Sequence, residues 1–176
     1  VLVGVSLDGP EHFHDEVRRD KVDRGTYRTV VDNISLLKKH KVEFNVLCVV
    51  SSSNVRSPQE VYGFFRDLGV EFLQFIPLVE SGDRKVNNCS VNPGEYGSFL
   101  ISVFNDWVRN DFGQMFVQIF EEVLRIWAGY GASLCVMSET CGRAMVMEHN
   151  GDLYSCDHFV SPEYKLGNIL TNSISA

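Results

Sequence analysis

The alternation of short apolar runs with amphipathic stretches constrains this chain more than any other feature. Residues 1–7 (V-L-V-G-V-S-L), 42–50 (V-E-F-N-V-L-C-V-V) and 70–77 (V-E-F-L-Q-F-I-P) have the length and composition of strands. Two helical patterns lie between them. Tyr27, Val30, Val31, Ile34 and Leu37 recur at helical period, as do Val61, Phe64, Phe65 and Leu68. The links are short, so the order β-α-β-α-β predicts parallel strands joined by right-handed crossovers. The second half of residues 42–50 is apolar on both faces, as in a parallel sheet covered by helices. Cys48 lies within it and reads as a core thiol.

Punctuation supports this order. Asp8-Gly9-Pro10 is a turn signal that ends the first strand and leaves Ser6 and Asp8 exposed at its C-terminal end. Residues 11–24 are strongly charged, hold His12, His14 and Arg18, and read as a loop or an irregular turn of helix. Lys38, Lys39, His40 and Lys41 crowd the end of the first helix, where positive charge suits the dipole. Ser57-Pro58-Gln59-Glu60 predicts a capping box with proline at the first helical position, and Gly69 ends that helix. Residues 80–91 form a polar loop containing Cys89. Asn92-Pro93-Gly94-Glu95 then caps a third helix with Tyr96, Phe99, Leu100, Val103 and Trp107 on one face. Residues 115–119 read as a short strand and 120–128 as another helix.

After Gly131 the pattern changes, which places a boundary near Tyr130 and divides the chain into 1–130 and 131–176. Cys135, Cys141 and Cys156 follow the spacing C-x5-C-x14-C, and the last two flank an expected hairpin. Its turn is Asn150-Gly151, a dipeptide that tolerates positive φ at both centres of a type I′ turn. Thiols gathered around such a hairpin suit zinc or an iron–sulfur cluster; buried free thiols or a disulfide are the alternatives. His158 offers a fourth ligand to zinc, whereas the fourth cysteine of a cluster would lie beyond Ala176. The five cysteines are an odd count with no regular disulfide spacing and no leader. A reducing cytoplasm is the expected compartment.

Two further constellations carry chemistry. Ser6 and Arg18, near the C-terminal end of the first strand, form a carboxylate clamp or are unrelated surface residues. Asp157 directly follows Cys156; strand alternation points it away from the cysteine's face, as a general base or a solvated aspartate. The net charge of −7 argues against a general nucleic-acid binder. No apolar run approaches the roughly 18 residues of a membrane span. The chain opens on Val1 within an apolar run and ends at Ile174-Ser175-Ala176, as a piece of a longer protein does.

The run S-L-D-G-P from Ser6, the strands E-F-N-V-L-C-V-V and F-L-Q-F-I-P, and the string from Cys135 through M-E-H-N-G-D-L-Y-S-C-D-H-F to K-L-G-N-I together resemble the anaerobic sulfatase-maturating enzymes. These are radical S-adenosylmethionine proteins with a SPASM-type C-terminal extension. The resemblance implies the last half of a partial (β/α)6 TIM-like barrel, holding its last three strands, followed by a hairpin that begins a cluster-binding extension. It implies that Ser6 and Arg18 hold the carboxylate of S-adenosylmethionine and that Leu78 and Val79 lie near its adenosyl part. It further implies that Cys135, Cys141 and Cys156 bind an auxiliary [4Fe-4S] cluster and that Asp157 is the base. The reaction would oxidise a cysteine or serine of an unfolded sulfatase to Cα-formylglycine.

The radical-cluster motif C-x3-C-x2-C is absent from these 176 residues, so this chain by itself is expected to be inactive. Other SPASM-type peptide-modifying enzymes and a non-enzymatic zinc-stapled module are the competing readings. Half a barrel would also leave residues 1–7 as an open sheet edge, through which the chain is expected to self-associate.

Overall fold

The computed structural model describes residues 3–79, 89–140 and 145–173. They form two compact units, Val1–Glu121 and Glu122–Ala176.

The first unit is built on a four-stranded sheet whose spatial order follows the chain: β1 (Val3–Ser6), β2 (Phe44–Val50), β3 (Phe72–Pro77) and β4 (Phe116–Val117). All three pairings are parallel, with Ser6 opposite Leu47 and Val50 opposite Pro77. Helices α1 (Glu11–Val17) and α2 (Tyr27–Lys39) follow β1; α3 (Pro58–Asp67) follows β2; α4 (Pro93–Asn110) follows β3; and α5 (Gln118–Trp127) follows β4. The βαβ order read from hydrophobic periodicity is the order of the fold.

Burial differs from the expectation of two covered faces. In β2, Phe44, Val46, Cys48 and Val50 are buried, while Asn45, Leu47 and Val49 between them are only half-buried. In β3, Leu73 and Phe75 are buried and Ile76 is exposed. Successive side chains point to opposite faces, so one face of this sheet carries the core and the other is open among the described residues. The core face receives Ile34 from α2, Val61, Tyr62 and Phe65 from α3, and Phe99, Val103 and Trp107 from α4. Phe75 and Phe99 meet edge to face at 5.1 Å. Trp107 Nε1 donates to the carbonyl of Met115 at 2.7 Å, which ties α4 to the approach of β4.

Two local expectations need correction. Residues 11–24 read in sequence as a loop or an irregular turn of helix; their first part, Glu11–Val17, is the regular helix α1, whose buried residue is His14. The capping box at α3 does not form: Ser57 makes no side-chain cap bond, and Glu60 lies 3.5 Å from His12 instead. The cap at α4 does form, with Asn92 Oδ1 accepting from Gly94 N at 2.8 Å and Glu95 N at 3.4 Å.

The second unit holds an antiparallel sheet of β5 (Val146–Met147), β6 (Asp152–Tyr154) and β7 (Lys165–Asn168), in that order. The β5–β6 turn is not type I′, because Asn150 does not take a positive φ. Glu148 N donates to Asp152 O and Gly151 N to Glu148 O, leaving a three-residue connection whose left-handed position is Gly151, φ 84°. Asn150 stays out of that region while its Oδ1 accepts from Asp152 N at 3.0 Å. A Cβ at Gly151 would also press on Ile169 and Leu170 at 3.3 Å. Among the described residues of this unit only Glu122 and Gly151 are buried.

Candidate functional site

In parallel α/β folds the working groups collect where the strands end. Here the C-terminal ends of β1, β2 and β3 enclose a recess of about 230 Å³. Phe13, Val17, Val49 and Leu78 form its apolar walls, and Asp8, Arg18, Ser51, Ser53 and Asn54 its polar part.

Asp8 organises this end of the sheet. It was expected to be exposed, yet it is 2% exposed. Its carboxylate accepts from Arg18 Nε at 2.5 Å, Arg18 Nη2 at 3.2 Å and Val49 N at 2.9 Å. A buried carboxylate needs that full set of donors. Asn54 locks the other side: its Nδ2 donates to the carbonyls of Asp8 and Val49, and its Oδ1 accepts from Ser51 N. Ser51 and Ser53 share a hydroxyl contact of 2.9 Å. The result is a half-exposed guanidinium, fixed by a buried partner, beside two serines and an apolar wall. Such a recess suits a small molecule with one anionic group and one apolar or aromatic part.

The structure brings Arg18 and Leu78 together in this recess. Ser6 is exposed at the end of β1, and neither it nor the exposed Val79 is among the lining residues. The sequence singles out Asp8 only as a group at the end of the first strand, and Asn54 and Ser53 not at all. Their only sequence signal is position, directly after a strand.

The second unit holds the sulfur-bearing candidates. Glu122, buried, accepts from Ser133 N at 2.5 Å and Leu134 N at 2.8 Å and also from the Ser133 hydroxyl. The Ser133 hydroxyl, with these backbone donors, holds its carboxyl below the usual range. It thereby fixes the segment entering the 3₁₀ turn Cys135–Met137, on which Cys135 is exposed and free. Cys141 lies outside the described residues. The expectation that Asp157 faces away from Cys156 is corrected: β6 ends at Tyr154, so strand alternation does not reach residue 157. The Cys156 thiol donates to Asp157 Oδ1 at 3.3 Å, and His158 Nδ1 lies 3.1 Å from the same oxygen. The thiol and the neighbouring imidazole hold the Asp157 carboxyl below its ordinary range. One ligand atom each from Cys156, Asp157 and His158 lies within 4.8 Å of the others; Cys135 is not in that group. The chemistry of these donors fits a metal: thiols, an imidazole and a carboxylate in a unit almost without buried side chains among its described residues.

No family model matches the chain. It is 42% identical over 98% of its length to a serine-type anaerobic sulfatase-maturating enzyme of Bacteroides thetaiotaomicron, covering 46% of that protein. It is 36% identical over 99% of its length to a cysteine-type enzyme of Clostridium novyi, covering 48%. Its fold matches a solved structure of native anSMEcpe with bound AdoMet at a TM-score of 0.88 and 36% identity, over 99% of this chain and 48% of that one. A structure of the same protein with bound AdoMet and the Cp18Cys peptide also matches at 0.88. The chain spans about half the length of the curated relatives it matches.

Proposed function

The chain is homologous to the anaerobic sulfatase-maturating enzymes, and we propose that it supplies the later barrel strands and the start of the cluster-binding extension of such an enzyme. The whole protein oxidises a cysteine or serine of an unfolded sulfatase to Cα-formylglycine. The observation that carries this reading is the Arg18–Asp8 recess at the strand ends, in a fold shared with an AdoMet-bound relative. Arg18 draws the carboxylate of S-adenosylmethionine, with Ser6 as the second donor. Leu78 and Val79 border the adenosyl part. Cys135, Cys141 and Cys156 hold an auxiliary [4Fe-4S] cluster, and Asp157 takes the thiol or hydroxyl proton of the substrate. When bound, S-adenosylmethionine and the clusters supply hydrogen abstraction and electron acceptance; the protein's part is to hold, orient and deprotonate. The exposed, unbridged thiol of Cys135 suits a reducing cytoplasm.

The test uses the complete protein and a sulfatase-derived peptide, read by mass spectrometry. Asp157→Asn is expected to lose formylglycine formation, on the order of a hundredfold or more, with iron content unchanged. Full activity in that variant would remove Asp157 from the reaction. A second reading, a zinc-stapled binding module, is favoured by the cluster of Cys156 and His158, with Cys135 and Cys141 completing the site. Metal analysis of anaerobically purified protein separates the two: iron with acid-labile sulfide, or zinc alone. The open edge at β1, which pairs with β2 alone among the described residues, gives the chain expressed by itself a route to self-association. A monomer across a wide concentration range in sedimentation would count against that.

A further inference from the structure

Arg18 reaches the recess just beyond the end of α1, and its placement depends on a side chain that lies outside the recess lining. His14 has no exposed surface. Its Nδ1 accepts from Asp8 N at 3.2 Å, so the proton of the neutral ring sits on Nε2. Nε2 therefore donates to Thr26 Oγ1 at 3.0 Å, and the Thr26 hydroxyl donates onward to the carbonyl of Arg18 at 3.2 Å. Arg18 N returns to the carbonyl of His14 at 2.9 Å, and Thr26 N also donates to Arg18 O. A single tautomer satisfies the whole chain of donors. One imidazole thus ties the backbone of Asp8 to the backbone of Arg18, whose side chains meet in the two-point pair at the recess.

We propose that His14, acting through the Thr26 hydroxyl, is the positioning residue that fixes the Arg18 guanidinium for its ligand's carboxylate. This rests on the reading of the recess as part of the S-adenosylmethionine site. Any buried imidazole must satisfy its ring nitrogens; what singles out this one is that its partners are the backbone of Asp8 and, through the Thr26 hydroxyl, the backbone of Arg18. Its ring also packs against Tyr27 at 6.3 Å.

The experiment is a double-mutant cycle on the complete protein, with S-adenosylmethionine affinity measured by equilibrium dialysis. Thr26→Val keeps the shape and removes the hydroxyl. Alone it is expected to weaken binding about five- to tenfold, and in an Arg18→Ala background to add nothing. The KM for the peptide substrate should not move. His14→Gln, which loses the acceptor facing Asp8, is the second variant and should weaken binding likewise. Wild-type affinity in Thr26→Val, with Arg18→Ala weakened, overturns the inference and leaves the cofactor reading standing. An equal loss from Thr26→Val with and without Arg18 assigns the pair a structural role and overturns it too. No effect of Arg18→Ala overturns the cofactor reading and the inference with it.

Discussion

Burial holds the His14 imidazole below its ordinary pKa of 6.5; Asp8 and Asp15 pull the other way and Arg18 adds to the lowering. The sign follows from proton counting. Below pH 6.5 the unfolded chain binds a proton that the folded chain resists, so stability is complete above that pH and falls as the pH drops towards the folded value. Urea midpoints for this chain should decline between pH 7.5 and 5.5, and His14→Gln should flatten that part of the profile. An unchanged midpoint in the parent chain would mean that His14 does not fold in neutral form. The thiols divide in the same way. Cys48 has no exposed surface and burial pushes its pKa well up, whereas Cys135 is exposed. In metal-free protein, maleimide at neutral pH should label Cys135 within minutes and Cys48 only after unfolding; early labelling of Cys48 would show that β2 opens readily.

At the scale of elements, the two helix starts that look alike in sequence should differ in energy. Asn92→Ala removes a formed cap and is expected to cost about 1 kcal/mol by urea denaturation. Ser57→Ala removes no cap bond and should stay within roughly 0.3 kcal/mol. Equal costs would mean that Ser57 caps α3 after all. This contrast marks what sequence can report. The strands β1 to β3 and the helices α2 to α4 were legible because hydrophobic period reports burial directly. α1 was not: His14 is its buried residue, and composition does not distinguish an inward histidine from an outward one. Nor was the Asp8–Arg18 pair legible. It depends on a ten-residue return of the chain, whereas Ser6 and Arg18 were linked by their place at the strand end and by family resemblance, and of the two only Arg18 lines the recess. The turn at Gly151 was placed correctly but its geometry was not, because the Asn150 side chain bonds locally instead of taking a left-handed backbone.

At the scale of the molecule, the two units differ in what holds them together. The first has a core from three helices and a sheet. The second has hardly a buried side chain among its described residues, and with so little core a cross-link or a metal would supply most of its stability. Trypsin should therefore cut metal-free complete protein first at sites such as Lys165. Anaerobic reconstitution with iron and sulfide should slow that cut at least about tenfold, as tight binding to the folded form alone requires. Equal resistance without metal would show that the second unit is self-sufficient.

The order of the large sheet has a consequence for synthesis. Strands β1 to β4 sit side by side in the order in which they are translated. As the chain leaves the ribosome, each new strand finds its neighbour already made, and no strand must wait for a distant one. Each pairing joins strands that are consecutive in sequence, so no longer loop has to close first. The sheet can thus grow strand by strand as elongation proceeds, each of β2, β3 and β4 adding to the one before it.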